Sequence, residues 1–190
     1  MRLLSGSSLR VRAAFVRSGF TLVEVLVALF VVALGIAGAA ALQTLAVRSA
    51  RDAARLSYGT RLARSLAERM RANPRALAQS DNPYLHLDYD ASAGGAPTAP
   101  ALCYADTDCD GDDLARFDVF EVAETVAAGF PGGRIRVCRD AGGPDAAGVL
   151  PWTCDGEDGA PVVVKLGWRA QGDSETGAPK LMTPLAGAAP

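Results

Sequence analysis

The sequence predicts an α+β protein, in which one long N-terminal α-helix packs on a small, mostly antiparallel β-sheet body carrying a second, short helix. Three observations predict it. From residue 20 to about residue 72 no proline interrupts the chain, and Ala, Leu and Arg dominate. Residues 134–139 alternate and residues 161–169 are rich in valine, as strands are. Between connection and strands lies a segment of helical period, residues 112–128.

The elements follow in order. Residues 1–19 form a leader that is basic through Arg2, Arg10, Arg12 and Arg17 and lacks a sustained apolar core. The apolar core comes later. Residues 25–42 are eighteen positions without a charge or a strongly polar side chain, enough to cross the hydrocarbon layer as a helix. One carboxylate, Glu24, stands at the head of that run. In lipid it costs about 3 kcal/mol or more unless something pairs with it. The obvious partner is an amine, because a cut between Gly19 and Phe20 leaves an α-amino group four residues before Glu24. A plain membrane anchor whose Glu24 reaches to the interface accounts for the charge, but for neither the glycine nor the phenylalanine.

Beyond Leu42 the helix turns amphipathic. Leu56, Leu62, Ala63, Leu66 and Met70 are expected to face a body. Arg48, Arg51 and Arg55 are expected on another face, and Arg61, Arg64 and Glu68 continue a polar surface. These arginines read as solvated, or as contacts for anionic lipid heads or acidic neighbours. Gly35 and Gly38 read as points of close helix approach or as places to bend. Asn73-Pro74 ends the helix.

Residues 76–101 read as connection, with a short strand at 84–89 and a loop at 91–100. The second helix carries an apolar stripe of Leu114, Phe117, Val122 and Val126, with Asp112 and Asp113 at its N-terminus. Residues 129–133 turn the chain into the strand at 134–139. Leu181 and Met182 mark a last edge strand. The organisation is thus a leader at 1–19, a long helix at 20–74 with 20–42 in the membrane, and a body at 75–190.

Charge and composition exclude several functions. Residues 48–75 hold eight arginines against Asp52 and Glu68, whereas from residue 76 onward eighteen acidic residues face seven basic ones. The acidic far end argues against direct nucleic-acid binding. One histidine, no nucleophile motif and no phosphate-cradling loop leave little for a catalytic mechanism to use, so an enzyme is not expected. Cys103, Cys109, Cys138 and Cys154 allow three disulfide pairings, and the nearest-neighbour one, Cys103–Cys109 with Cys138–Cys154, is preferred. No CxxC is present to favour zinc. Asp106, Asp108, Asp110 and Asp112, with Gly111, fit the opening of a calcium loop, although Phe117 stands where a bidentate Glu belongs. An acidic turn capping the second helix explains the same residues and is preferred. Calcium is therefore the one cofactor the residues allow for.

The contiguous run Gly19-Phe20-Thr21-Leu22-Val23-Glu24 resembles the class III signal of type IV pilins and pseudopilins. That resemblance implies cleavage after Gly19, N-methylation of Phe20, and a Glu24 that attracts a neighbouring subunit's amine during assembly. It also implies the fold described above and puts the leader in the cytoplasm. Gly35-Ile36-Ala37-Gly38, then residues 61–74, Phe130-Pro131-Gly132-Gly133, Val137-Cys138 and residues 164–168 look like the PilV family of minor pilins. By that resemblance the chain is a minor pilin that initiates or assembles a pilus. Its partners are then other minor pilins, the major pilin, the inner-membrane assembly platform and the prepilin peptidase. It sits single-pass in a bacterial inner membrane, with its body in the periplasm. The second helix lacks the Trp expected near its middle, with Val122 there instead, and residues 103–113 are unusually acidic. The alternatives are a minor pseudopilin of a type II secretion system, or a membrane-anchored calcium-binding periplasmic protein outside any filament. Arginines flank the span on both sides, so the positive-inside rule alone does not orient it; four cysteines beyond the span suit an oxidising compartment.

Overall fold

The computed structural model describes residues 19–79, 81–100, 103–104, 108–156, 159–170 and 176–185. The chain divides into two units, residues 1–46 and 47–190.

Helix α1 spans Leu22–Ala72 without a break. In the first unit its side chains from Leu22 to Ala46 are all exposed, and Gly35 and Gly38 have open space around them. The helix is long and apolar enough to cross a membrane.

In the second unit the last turns of α1 supply one wall of a core. Gly59, Ala63, Leu66, Ala67 and Met70 are buried. Leu62 is partly buried against the same core, but Leu56 is 42% exposed, contrary to expectation. The reason is that Gly59 is the first residue of α1 that is buried, and Leu56 lies one turn before it. Gly59 occupies the inward position because a Cβ there would come within 2.7 Å of the Leu166 side chain. Steps of four and three then carry the buried face through Ala63, Leu66 and Met70. Continued backward, the alternation of three and four reaches Leu56 and Asp52, so Leu56 is in phase but one turn before the buried stretch. Arg48, Arg51 and Arg55, spaced by three and four, share a face that flanks this stripe.

Asn73 breaks the helix, and a single turn α2, Pro74–Leu77, begins on the proline. The expected strand at 84–89 is mostly something else. The Asn82 side chain accepts the Tyr84 N–H, Pro83 presets the turn, and a 3₁₀ turn forms over Pro83–His86. Only Asp88–Asp90 becomes strand β1. Another 3₁₀ turn, Ala91–Ala93, follows, with Asp90 accepting the Ser92 N–H.

Helix α3 spans Gly111–Gly129 and buries Ala115, Phe117, Val122, Ala123 and Val126. Leu114, expected on that stripe, is 41% exposed, and Ala115 and Asp118 take the inward places instead. Strands β2 (Arg134–Arg139), β3 (Val162–Gly167) and β4 (Leu181–Pro184) complete an antiparallel sheet in the order β1-β2-β3-β4. Pro184 blunts the β4 edge.

The turn into β2 depends on one glycine. A Cβ on Gly133 would lie 2.9 Å from the Val126 carbonyl oxygen and 2.7 Å from the Val126 side chain. Gly133→Ala is expected to destabilise the body by about 1 to 3 kcal/mol, read by thermal unfolding.

Both faces of β3 are covered. Val162, Val164 and Leu166 point into the core with Ile135 and Val137. Val163, Lys165 and Gly167 point the other way, yet all six β3 residues are buried. The cover on that side is the 149–156 segment. A Cβ on Gly167 would meet the Trp152 ring at 2.8 Å, and the Arg134 guanidinium lies 4.5 Å from the same ring centre.

Candidate functional site

The N-terminal segment is built to present two features. Gly19 and Phe20 precede the helix, and Phe20 is 81% exposed. Thr21 then starts α1. Its hydroxyl accepts the Glu24 N–H at 3.3 Å, and its carbonyl accepts the Val25 N–H. Thr21 and Glu24 thus occupy the first and last places of a T-x-x-E capping box, a signal the sequence reading passed over. The Glu24 carboxylate sits in the first turn, where the helix dipole favours an anion. Among the described residues that carboxylate accepts no hydrogen bond and forms no ion pair, so it remains available to an incoming cation. The bonds formed at this end of the helix therefore fix where Glu24 sits and leave its charge unused.

In the body the four cysteines form two bridges, Cys103–Cys109 and Cys138–Cys154, and no described cysteine is free. The first closes a loop just before α3. Asp110, directly after that loop, accepts the N–H groups of Asp112 and Asp113, both at 2.9 Å, and so caps α3. Asp112 accepts the Gln79 amide at 2.7 Å. Asp108 is exposed, and Asp106 lies outside the described residues. Among the described residues no three metal-ligating side chains come together. The described part of the acidic segment thus acts as a helix cap.

Two polar clusters were not foreseen. In one, Arg69 of α1 donates to Asp118 at 2.8 Å and to Glu121 at 2.5 Å, both on α3. Tyr84 adds its hydroxyl to Asp118 at 2.8 Å. Burial lowers the tendency of Arg69 to hold its proton, but Glu121 and Asp118 more than offset this and raise its pKa. Burial first, and then the bond to Asp118, push the Tyr84 hydroxyl pKa well above its ordinary value. The raised value has a sign. Stability from neutral Tyr84 is fully present below about pH 10 and is lost as pH rises beyond it. Tyr84→Phe is expected to cost about 1.5 to 3 kcal/mol at neutral pH. It should also remove the Tyr84 share of the alkaline loss, visible when unfolding of the two proteins is compared across pH 8 to about pH 11.

The other cluster centres on Lys165, which is fully buried. Its ammonium donates to the Pro151 carbonyl at 2.9 Å and the Thr153 carbonyl at 2.5 Å, and pairs with buried Asp140. Burial pushes the Asp140 carboxyl up, but bonds from Lys165 and the Gly142 N–H hold it below its ordinary value. This cluster fastens the covering segment to β3 beside the Cys138–Cys154 bridge. Within the sequence, a lysine inside a valine run was the only sign of it.

The exposed N-terminal segment and the helix that follows it form the candidate site. Comparison with known families bears on that stretch directly. Residues 41–120 match the family of the type IV pilin Tt1218. Residues 16–40 match the prokaryotic N-terminal methylation motif. The motif takes in Gly19, Phe20 and Glu24, and the pilin match runs from α1 to within α3. Neither match names the PilV family. No curated protein and no solved structure matches the chain. The long N-terminal helix and the antiparallel four-stranded sheet have the fold expected of a pilin.

Proposed function

We propose that the chain is a minor pilin of the PilV kind, which a prepilin peptidase cuts after Gly19 and which helps to initiate or assemble a type IV pilus. The observation that carries this reading is Glu24. It stands at the head of an exposed apolar helix, four residues behind a Gly-Phe junction inside a methylation motif, with its carboxylate unpaired among the described residues. In an apolar filament core an unpaired carboxylate is costly, and the methylated amine of a neighbouring Phe20 is a cation of suitable placement. Packing of the exposed Leu, Val and Phe side chains of α1 between subunits supplies the cohesion. Neighbouring minor pilins, the major pilin and the inner-membrane platform are the partners. The two disulfides support a body in the periplasm.

The test is the filament itself. Sheared surface pili should contain the chain at far lower abundance than the major subunit, and deleting its gene should reduce surface pili. Abundant pili without it, with secretion through a type II system impaired instead, would favour the pseudopilin alternative. Retention in the membrane with neither defect would leave the anchored binding protein.

A further inference from the structure

The buried stretch of α1 begins at Gly59. Before it, Arg48, Arg51 and Arg55 follow one another by three and four residues and so share one helix face. Arg48 and Arg51 are exposed, and among the described residues they meet no carboxylate. Arg55 alone has a partner, Asp52, at 3.4 Å. We infer that Arg48, Arg51 and Arg55 form a binding surface for anionic phospholipid headgroups. The inference rests on the reading that residues 25–42 cross a membrane.

Position selects the lipid as occupant. Arg48 is six residues past Leu42 in the chain and Arg51 nine. A hydrocarbon layer of about 30 Å is filled by the apolar run, so Arg48 and Arg51 fall within the headgroup layer that follows. Chemistry agrees with position. Guanidinium groups bind phosphate through paired N–H donors. Asp52 neutralises one charge and leaves a net excess of positive charge facing the lipid.

The test uses the full chain, extracted in detergent and studied by native mass spectrometry with phosphatidylglycerol or phosphatidylcholine of equal chain length. The expected result is about fivefold or greater retention of phosphatidylglycerol, falling with added salt. R48Q/R51Q/R55Q should bring the ratio close to one, whereas R48K/R51K/R55K should keep most of the preference. R10Q/R12Q/R17Q, made in the uncut chain, should leave it in place. Tryptophan emission from buried Trp168 checks that each variant is folded. An equal ratio in the unaltered chain, or a preference that survives the glutamine variant, overturns the inference. So does a glutamine variant that loses self-association with its lipid ratio unchanged, since the surface then belongs to a second copy. Alkaline carbonate extraction separates the premise: a chain that resists it and shows no lipid preference defeats this inference alone, while a chain released by it defeats the membrane reading.

Discussion

Glu24→Ala is expected to remove the chain from surface filaments while leaving the cut after Gly19 largely intact. On the proposed function, cleavage reads the junction, whereas assembly reads the charge. A mature Phe20 amine is cationic near neutral pH, and its attraction to a carboxylate grows as both enter an apolar core. Losing a hydrogen-bonded charge contact of about 1.5 to 3 kcal/mol predicts a fall in incorporation of about tenfold or more. Glu24→Gln should fail similarly, because it keeps the shape and the helix but not the charge. Comparing immunoblots of sheared filaments and membranes gives the answer. Normal incorporation of either variant would remove the pairing role. In a plain anchor, the alanine variant would only make the span more apolar.

Lys165→Met is expected to have the largest effect on the body. It leaves Asp140 buried at 5% side-chain exposure and without its cation, and it strips the donor from the Pro151 and Thr153 carbonyls. Breaking a buried pair from one side costs about 3 to 5 kcal/mol, which for a body of this size lowers the melting temperature by about 10 °C or more. The double variant Lys165→Met with Asp140→Asn should recover part of the loss, because no buried charge then remains. Asp140 also sets an acid limb. Its pKa is held below 3.8, so its contribution is present above that pH and is lost as pH falls through the lower folded value. Asp140→Asn should flatten that limb. A Lys165→Met protein that melts with the parent would show that the covering segment is held by the Cys138–Cys154 bridge alone.

What the sequence made legible, and what it hid, follows from the range of the forces involved. Strand β2 matched its expected residues 134–139, because alternation of arginine with Ile135 and Val137 is a local record of one buried face. Helix α1 was equally plain, since no residue from 22 to 72 contradicts helix strongly enough to end it. The run at 84–89 misled because a local bond, Asn82 to the Tyr84 N–H, outweighed a weak alternation. The expected stripe of α1 is buried at Ala63, Leu66 and Met70; Leu56 is in phase with them but precedes Gly59, the first buried residue, and periodicity does not mark where a body begins. The Arg69–Asp118 bond joins residues 49 apart and the Lys165 carbonyl contacts span 12 and 14, and no periodicity encodes such pairs. At the N-terminus the situation reverses. Gly19, Phe20 and Glu24 lie within six consecutive residues, so the sequence alone proposes them as a site, and the fold adds chiefly the Thr21 cap.

The central claim is that the chain is a processed pilin, and the most direct measurement is intact mass with N-terminal sequencing of the protein from membranes and from sheared filaments. The account predicts a chain that begins at N-methylated Phe20, with part of it in the filament fraction. A chain that begins at Met1, or one cut elsewhere and absent from filaments, would contradict it.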